Sequence, residues 1–148
     1  MEFLPNDDTP RTESVRYVAQ GRLGEGTFGE VRMGLDTFTG KKVAMKYVRI
    51  MSQDRGGIPR AVFRELESLR QLGNSDLVTN LLDFFPDESN LCLVLEYLPS
   101  DLHEVIHQAA CPLPVAHVKA ITLMLLSALS YCHAKRIIHR DIKPASEH

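Results

Sequence analysis

LGEGTFGEV, Leu23 to Val31, is the stretch whose reading decides the fold. Gly24, Gly26 and Gly29 fit G-x-G-x-x-G, with Val31 two residues on. The spacing alone is a weak signal, because a dinucleotide-binding turn carries the same glycines between a strand and a helix. The flanks settle the matter. Tyr17 to Leu23 and Gly29 to Leu35 alternate apolar and polar residues, the period of a half-buried strand. The glycines therefore sit in a strand-turn-strand, where a backbone without Cβ atoms comes close to phosphates as a flap. A plain glycine-rich β-turn is the competing reading of this stretch taken by itself.

Outward from it, a third alternating run, Lys42 to Arg49, follows the turn residues DTFTG at 36–40, so the second and third strands form a hairpin. This run contains VAMK, Val43 to Lys46, and alternation sends Ala44 and Lys46 to one face. The small residue leaves room for a flat ligand, and the long ammonium reaches its phosphates. A merely solvated strand lysine is the alternative. Gly56, Gly57 and Pro59 then break the chain. Residues 60–72, RAVFRELESLRQL, read as an amphipathic helix with Val62, Leu66 and Leu69 at i, i+4 and i+7. Glu65 falls within that apolar stripe, and Arg64 points away from it. A carboxylate so placed needs a cation from another element, and Lys46 is the candidate. A glutamate reaching water at the stripe's edge is the alternative.

Leu77 to Phe84 and Leu91 to Tyr97 complete a set of five strands, joined by a turn at 88–90. Past Pro99 and Ser100 come a short helix, Asp101 to Ala109, and a long one, Val115 to Ala134. The order implies an α+β fold. A flexible tail occupies residues 1–16. A β-rich unit of five antiparallel strands and one helix occupies 17–98, and a helical unit occupies 99–148. HRDIKP, residues 139–144, is then a loop. Asp141 and Lys143 are two apart and face one side of it. A carboxylate there takes a proton from a hydroxyl, and the lysine neutralises phosphate charge. A charged surface turn is the alternative.

Composition is globular, with 148 residues of which 44% are hydrophobic and 24% charged. A net charge of −2 gives no basic footprint for nucleic acid or an anionic membrane, and neither is expected as a partner. The N-terminal residues lack the basic and apolar regions of a signal peptide. The most apolar window, Ala120 to Cys132, reads as too short to span a bilayer, which predicts a soluble protein. Cys92, Cys111 and Cys132 lie in apolar stretches at irregular spacing and read as reduced, buried thiols. His133 and His139 fall on different elements without supporting ligand spacing, so a metal site there is not expected.

As an ordered set, G-x-G-x-x-G-x-V, V-A-x-K, a helix glutamate and H-R-D-x-K-P resemble the N-terminal half of a eukaryotic protein kinase, over residues 17–146. IPRAVFRELESL (58–69) and LVLEYLPSDLHEVI (93–106) resemble the cyclin-contacting helix and the hinge of the cyclin-dependent branch. The run from Ser100 to Asp141 is most similar to the cell-cycle-related kinases. The resemblance implies a protein-kinase N-lobe followed by the first helices of a C-lobe. It also implies ATP γ-phosphoryl transfer to a Ser or Thr hydroxyl of a protein substrate. Leu23, Gly24, Glu25, Gly26, Thr27, Phe28, Gly29, Glu30 and Val31 would cover ATP, with Leu23 and Val31 against the adenine. Ala44 would pack on the base. Lys46, paired with Glu65, would hold the α- and β-phosphates. Leu95 would be the gatekeeper, the backbone of Glu96 and Leu98 would bond the adenine, and Asp101 would sit near the ribose. Asp141 would be the catalytic base, Lys143 a phosphate contact, and His139 and Arg140 braces of the loop. A cyclin or cyclin-like partner would dock through residues 58–70, in the nucleus or cytoplasm.

Departures from the family pattern are as informative. Ser146 stands where the family has a magnesium-binding asparagine, and no D-F-G follows. Phe28 stands where many cyclin-dependent kinases carry a phosphorylatable tyrosine. These departures lead to the expectation of a truncated kinase domain, inactive by itself. The alternative is a short non-catalytic product that binds a cyclin or a nucleotide. AITLMLLSALSYC, residues 120–132, is apolar nearly all round, as in a helix buried in a larger core.

Overall fold

The computed structural model describes residues 16–26, 29–50, 60–109 and 111–144. Thr27, Phe28, Ile58, Pro59 and Ser146 lie outside the described residues, as do the side chain of Glu25 and all but Arg16 of the expected tail. The elements are β1 (Tyr17–Gly26), β2 (Gly29–Asp36), β3 (Lys42–Arg49), α1 (Arg60–Leu72), β4 (Leu81–Asp87), β5 (Asn90–Glu96), α2 (Leu102–Gln108) and α3 (Val115–Ala134). The sheet is antiparallel throughout, in the order β1-β2-β3-β5-β4, with hairpins at β1–β2, β2–β3 and β4–β5 and a longer connection through α1 and β4 between β3 and β5. The fold is α+β, a five-stranded antiparallel sheet with helices.

Strand period divides the sheet's two faces. Val43, Met45, Cys92 and Val94 lie on one face, where they pack with Tyr17 and Phe85. Tyr17 and Phe85 come from β1 and β4, at opposite ends of the strand order, yet their rings stack with centroids 6.0 Å apart. The sheet is therefore strongly curled, as right-handed strand twist requires. The Tyr17 hydroxyl donates to Asp83 Oδ2 at 3.0 Å across the same closure. Burial, with that bond, pushes the Tyr17 pKa up to about 12. The other face receives α1, whose Val62 and Leu66 pack on Val48, Leu91 and Leu93.

Several expectations need adjusting. Arg16, placed in the tail, is tied to the sheet: its guanidinium bonds both carboxylate oxygens of buried Asp36, at 3.0 and 2.9 Å. The fourth strand runs Leu81–Asp87, not Leu77 to Phe84. It continues through Pro86 because β4 is an edge strand, where a missing N–H costs no ladder bond. Residues 77–80 are instead held as a loop, with Asn80 Oδ1 accepting from Ser75 N at 3.0 Å. Cys111 is exposed, because it lies between the two helices of the C-terminal part rather than inside one; Cys92 and Cys132 are buried. The long helix runs Val115–Ala134 as expected; at 20 residues it is longer than its most apolar window, and enough by length and composition alone to cross a membrane. It is not enclosed on all sides: Val115, Leu123, Met124 and Leu126 are all more than half exposed.

Candidate active site

Cross-strand pairing builds the site. Gly24 lies opposite Val31, Val31 opposite Lys46, and Ala44 opposite Leu95. Directly paired residues share a face, so Val31, Ala44, Lys46 and Leu95 line one side of the sheet. This is also the face that packs α1. Val31 is 1% exposed and Ala44 6%, giving an apolar floor with the lysine at its border. The flap over that floor is the β1–β2 hairpin. A Cβ on Gly24 would meet nothing within 4 Å, so the space above it is open. Gly29 is required for a different reason: its backbone crowds β3, and a Cβ would lie 1.7 Å from the Tyr47 carbonyl oxygen.

Lys46 Nζ donates to Glu65 Oε1 at 2.7 Å. The side chains are 20% and 32% exposed, so the pair contributes little stability, about 0–1 kcal/mol. Its consequence is geometric. A long, flexible ammonium is fixed at one point beside the apolar floor, and α1 is linked to β3. Glu65 is brought there by the helix period, since it follows buried Val62 by three and precedes Leu66 by one.

On the C-terminal side, Lys143 Nζ lies 3.2 Å from Asp141 Oδ2. The Asp141 N–H donates to His139 Nδ1 at 3.3 Å. Arg140 between them has φ 69°, a left-handed conformation that costs a non-glycine residue on the order of 1 kcal/mol and clusters at functional loops. The Pro144 carbonyl accepts from His103 N at 2.9 Å, pinning the end of this loop to the first turn of α2. An open groove of about 740 Å³ runs between α1 and the approach to the loop. Glu65 lines it from one side, His139 and Arg140 from the other, whereas Lys46, Asp141 and Lys143 are not part of its lining.

Other residues singled out from the sequence are placed less simply. Glu30 lies opposite Tyr47, on the far face from Lys46, with Arg32 at 3.0 Å and Arg22 at 3.6 Å. The Arg32 bond holds its carboxyl below the usual range. Leu23 and Leu98 are exposed. The Glu96 N–H is occupied by the Asn80 carbonyl at 3.0 Å. Asp101 caps α2, accepting from Glu104 N at 2.7 Å. Among the described residues, no three His, Cys, Asp or Glu side chains cluster to hold a metal ion. Asn80 had no sequence signal, yet it also donates to Glu96 Oε2 at 3.1 Å and steadies the end of β5.

The geometry agrees with what known proteins show. The protein kinase domain family matches residues 17–146. Cyclin-dependent kinase 20 of Danio rerio is 39% identical over 131 residues, 88% of this chain and 38% of that protein. Cyclin-dependent kinase D-1 of Oryza sativa subsp. japonica is 39% identical over 129 residues, 87% of this chain and 30% of that protein. This chain thus spans less than two fifths of the length of these relatives. A chain in the structure of the CAK complex of Chaetomium thermophilum bound to ATP-gamma-S superposes with a TM-score of 0.77 at 37% identity. The match covers 89% of this chain and 42% of that one. A shared sheet, a shared motif order and these identities lead to one conclusion: the chain belongs to the protein kinase domain family, in its cyclin-dependent branch.

Proposed function

We propose that these residues supply the nucleotide-binding half and the catalytic base of a cyclin-dependent-kinase-like protein Ser/Thr kinase. The observation that carries the reading is the Lys46–Glu65 pair at 2.7 Å, at the border of the Val31–Ala44–Leu95 floor. That donor set fits ATP: an apolar surface takes the adenine, the flap at Gly24 leaves backbone room, and a fixed ammonium meets the phosphates. ATP, when bound, supplies the γ-phosphoryl group. Leu23 belongs to the flap, with the backbone of Glu25, Gly26 and Glu30; Thr27 and Phe28 are assigned to ATP by their place in the motif alone. Leu95 limits the depth of the pocket, while the backbone of Glu96 and Leu98 and the carboxylate of Asp101 lie on the adenine and ribose side.

In phosphoryl transfer by a longer kinase domain, Asp141 would accept the proton of the attacking Ser or Thr hydroxyl as its oxygen bonds phosphorus and the bond to the β-phosphate oxygen breaks. Lys143 neutralises charge beside it. Magnesium fits this chain poorly. Ser146 stands where the family has its magnesium-binding asparagine, and among the described residues no three His, Cys, Asp or Glu side chains cluster to hold a metal ion. Metal-dependent transfer is accordingly assigned to a longer kinase domain, and these 148 residues alone bind nucleotide without transferring phosphate. A cyclin-like partner reads the exposed side of α1, where Phe63 is 55% exposed.

An acyl-phosphate derivative of ATP, which acylates a lysine beside its phosphates, tests the reading. Labelling at Lys46 that free ATP suppresses is expected. Labelling scattered over surface lysines, unaffected by ATP, would sink it.

A further inference from the structure

Residues 103–107 read His-Glu-Val-Ile-His and make up the body of α2. Histidines at i and i+4 share one face of a helix, the arrangement by which H-E-x-x-H helices hold a zinc ion. Here the rings of His103 and His107 lie with centroids 3.9 Å apart and planes 33° from each other. Both residues are exposed, so an ion reaches them from solvent. His107 is also held as a metal ligand is held. Its Nδ1 lies 2.9 Å from the His103 carbonyl oxygen. A carbonyl can only accept, so the proton is on Nδ1, and the neutral ring carries its lone pair on Nε2. Metal-ligating histidines use this same bond from the second ring nitrogen to fix tautomer and ring direction. A tetrahedral ion with Zn–N bonds of about 2.0–2.1 Å needs two nitrogens roughly 3.3 Å apart. Rings already in contact reach that separation by small changes in their side-chain torsions.

Glu104 takes no part in this pair. Its carboxylate accepts from the Ser100 hydroxyl at 2.8 Å and from Gln108 Nε2 at 2.7 Å, along a different row of the helix. It is therefore not placed as the general base of a metalloprotease, and among the described residues no third His, Cys, Asp or Glu joins the histidines. The chemistry is binding, not hydrolysis. We propose that His103 and His107 form a two-histidine site for a zinc-class divalent cation, with water completing the coordination. Imidazole selects zinc and its transition-metal neighbours over magnesium and calcium, which take oxygen ligands. A bound ion cross-links successive turns of a helix of 7 residues, which is too short to be stable by itself. The His103 N–H donates to the Pro144 carbonyl at 2.9 Å, so the ion also stiffens the anchor of the Asp141 loop. The site stands independently of the nucleotide reading.

The test is titration of Zn2+ into the chain, followed by NMR of the histidine ring nitrogens. His103 and His107 should respond together and saturate before the other histidines, and Mg2+ at the same concentration should move neither. His103→Gln and His107→Gln should each weaken zinc binding about tenfold or more, and the double variant no further than either, because one imidazole does not chelate. In the His107→Gln background, Val105→His restores the number of imidazoles but turns the second away from His103, and it should not restore binding. Zinc should also slow amide exchange along α2 and at His103 N–H, and should not do so in His107→Gln. The substituted side chains are exposed, and an unchanged Tm without metal verifies that the variants act on the site alone. Equal zinc affinity in wild type and both single variants would overturn the proposal. So would a response confined to the other histidines and the cysteines.

Discussion

Gly29 and Asp36 show how single residues hold the flap and the sheet. With only 1.7 Å between a would-be Cβ on Gly29 and the Tyr47 carbonyl oxygen, Gly29→Ala must pry β2 from β3. The expected loss is about 2 kcal/mol or more, read as a lower urea midpoint at unchanged slope. An equal midpoint would show that the strands separate without cost. The glycine spacing was legible in the sequence, but the reason for its third member was not, because the crowding comes from Tyr47, on another strand eighteen residues away. Asp36 makes a pH prediction. Bonds from Arg16, the Phe38 N–H and the Thr39 hydroxyl hold its carboxyl well below the ordinary range. A depressed folded pKa gives stability that is present above the unfolded value, near 4, and is lost as pH falls toward the folded one. The gap in Tm between wild type and Asp36→Asn should therefore be widest near neutrality and close progressively below about pH 4. A gap independent of pH would contradict this.

Helices and strands were read from period, and period succeeded where one face alone is buried. β3 and α1 fall on the expected residues because alternation and a three-four repeat each mark a single buried face. β4 was displaced, because Leu77 and Val78 look like strand residues and Pro86 like a stop. What decides there is tertiary: Asn80 binds its loop through its side chain and β5 through its carbonyl, and an edge strand tolerates proline. The contact of α1 with the sheet is the element on which the site depends. Leu66 is 7% exposed against Val48, Leu91 and Leu93, so Leu66→Ala should cost about 3 kcal/mol and loosen Glu65 with it. Chemical denaturation checks the magnitude. A loss below about 1 kcal/mol would mean that α1 is not anchored by this face.

For the molecule as a whole, the order of motifs carried the reading further than any one of them. A strand lysine and a helix glutamate nineteen residues apart were paired from chemistry, and they lie in contact. The bonds from Tyr131 and Lys135 to the Leu72 and Gln71 carbonyls left no mark in the sequence, because backbone carbonyls are acceptors in every residue and only the packing selects which are reached. α3 carries an exposed apolar surface, and this chain spans less than two fifths of the length of these relatives. The central claim is an adenine-nucleotide site on the α1 face of the sheet. Its most direct test is calorimetric titration of ATP into the chain and into Lys46→Met. Saturable binding at one site, weakened at least about tenfold by the substitution, is predicted, the effect of removing one charge-assisted contact. Absence of binding, or binding that Lys46→Met leaves unchanged, would contradict it.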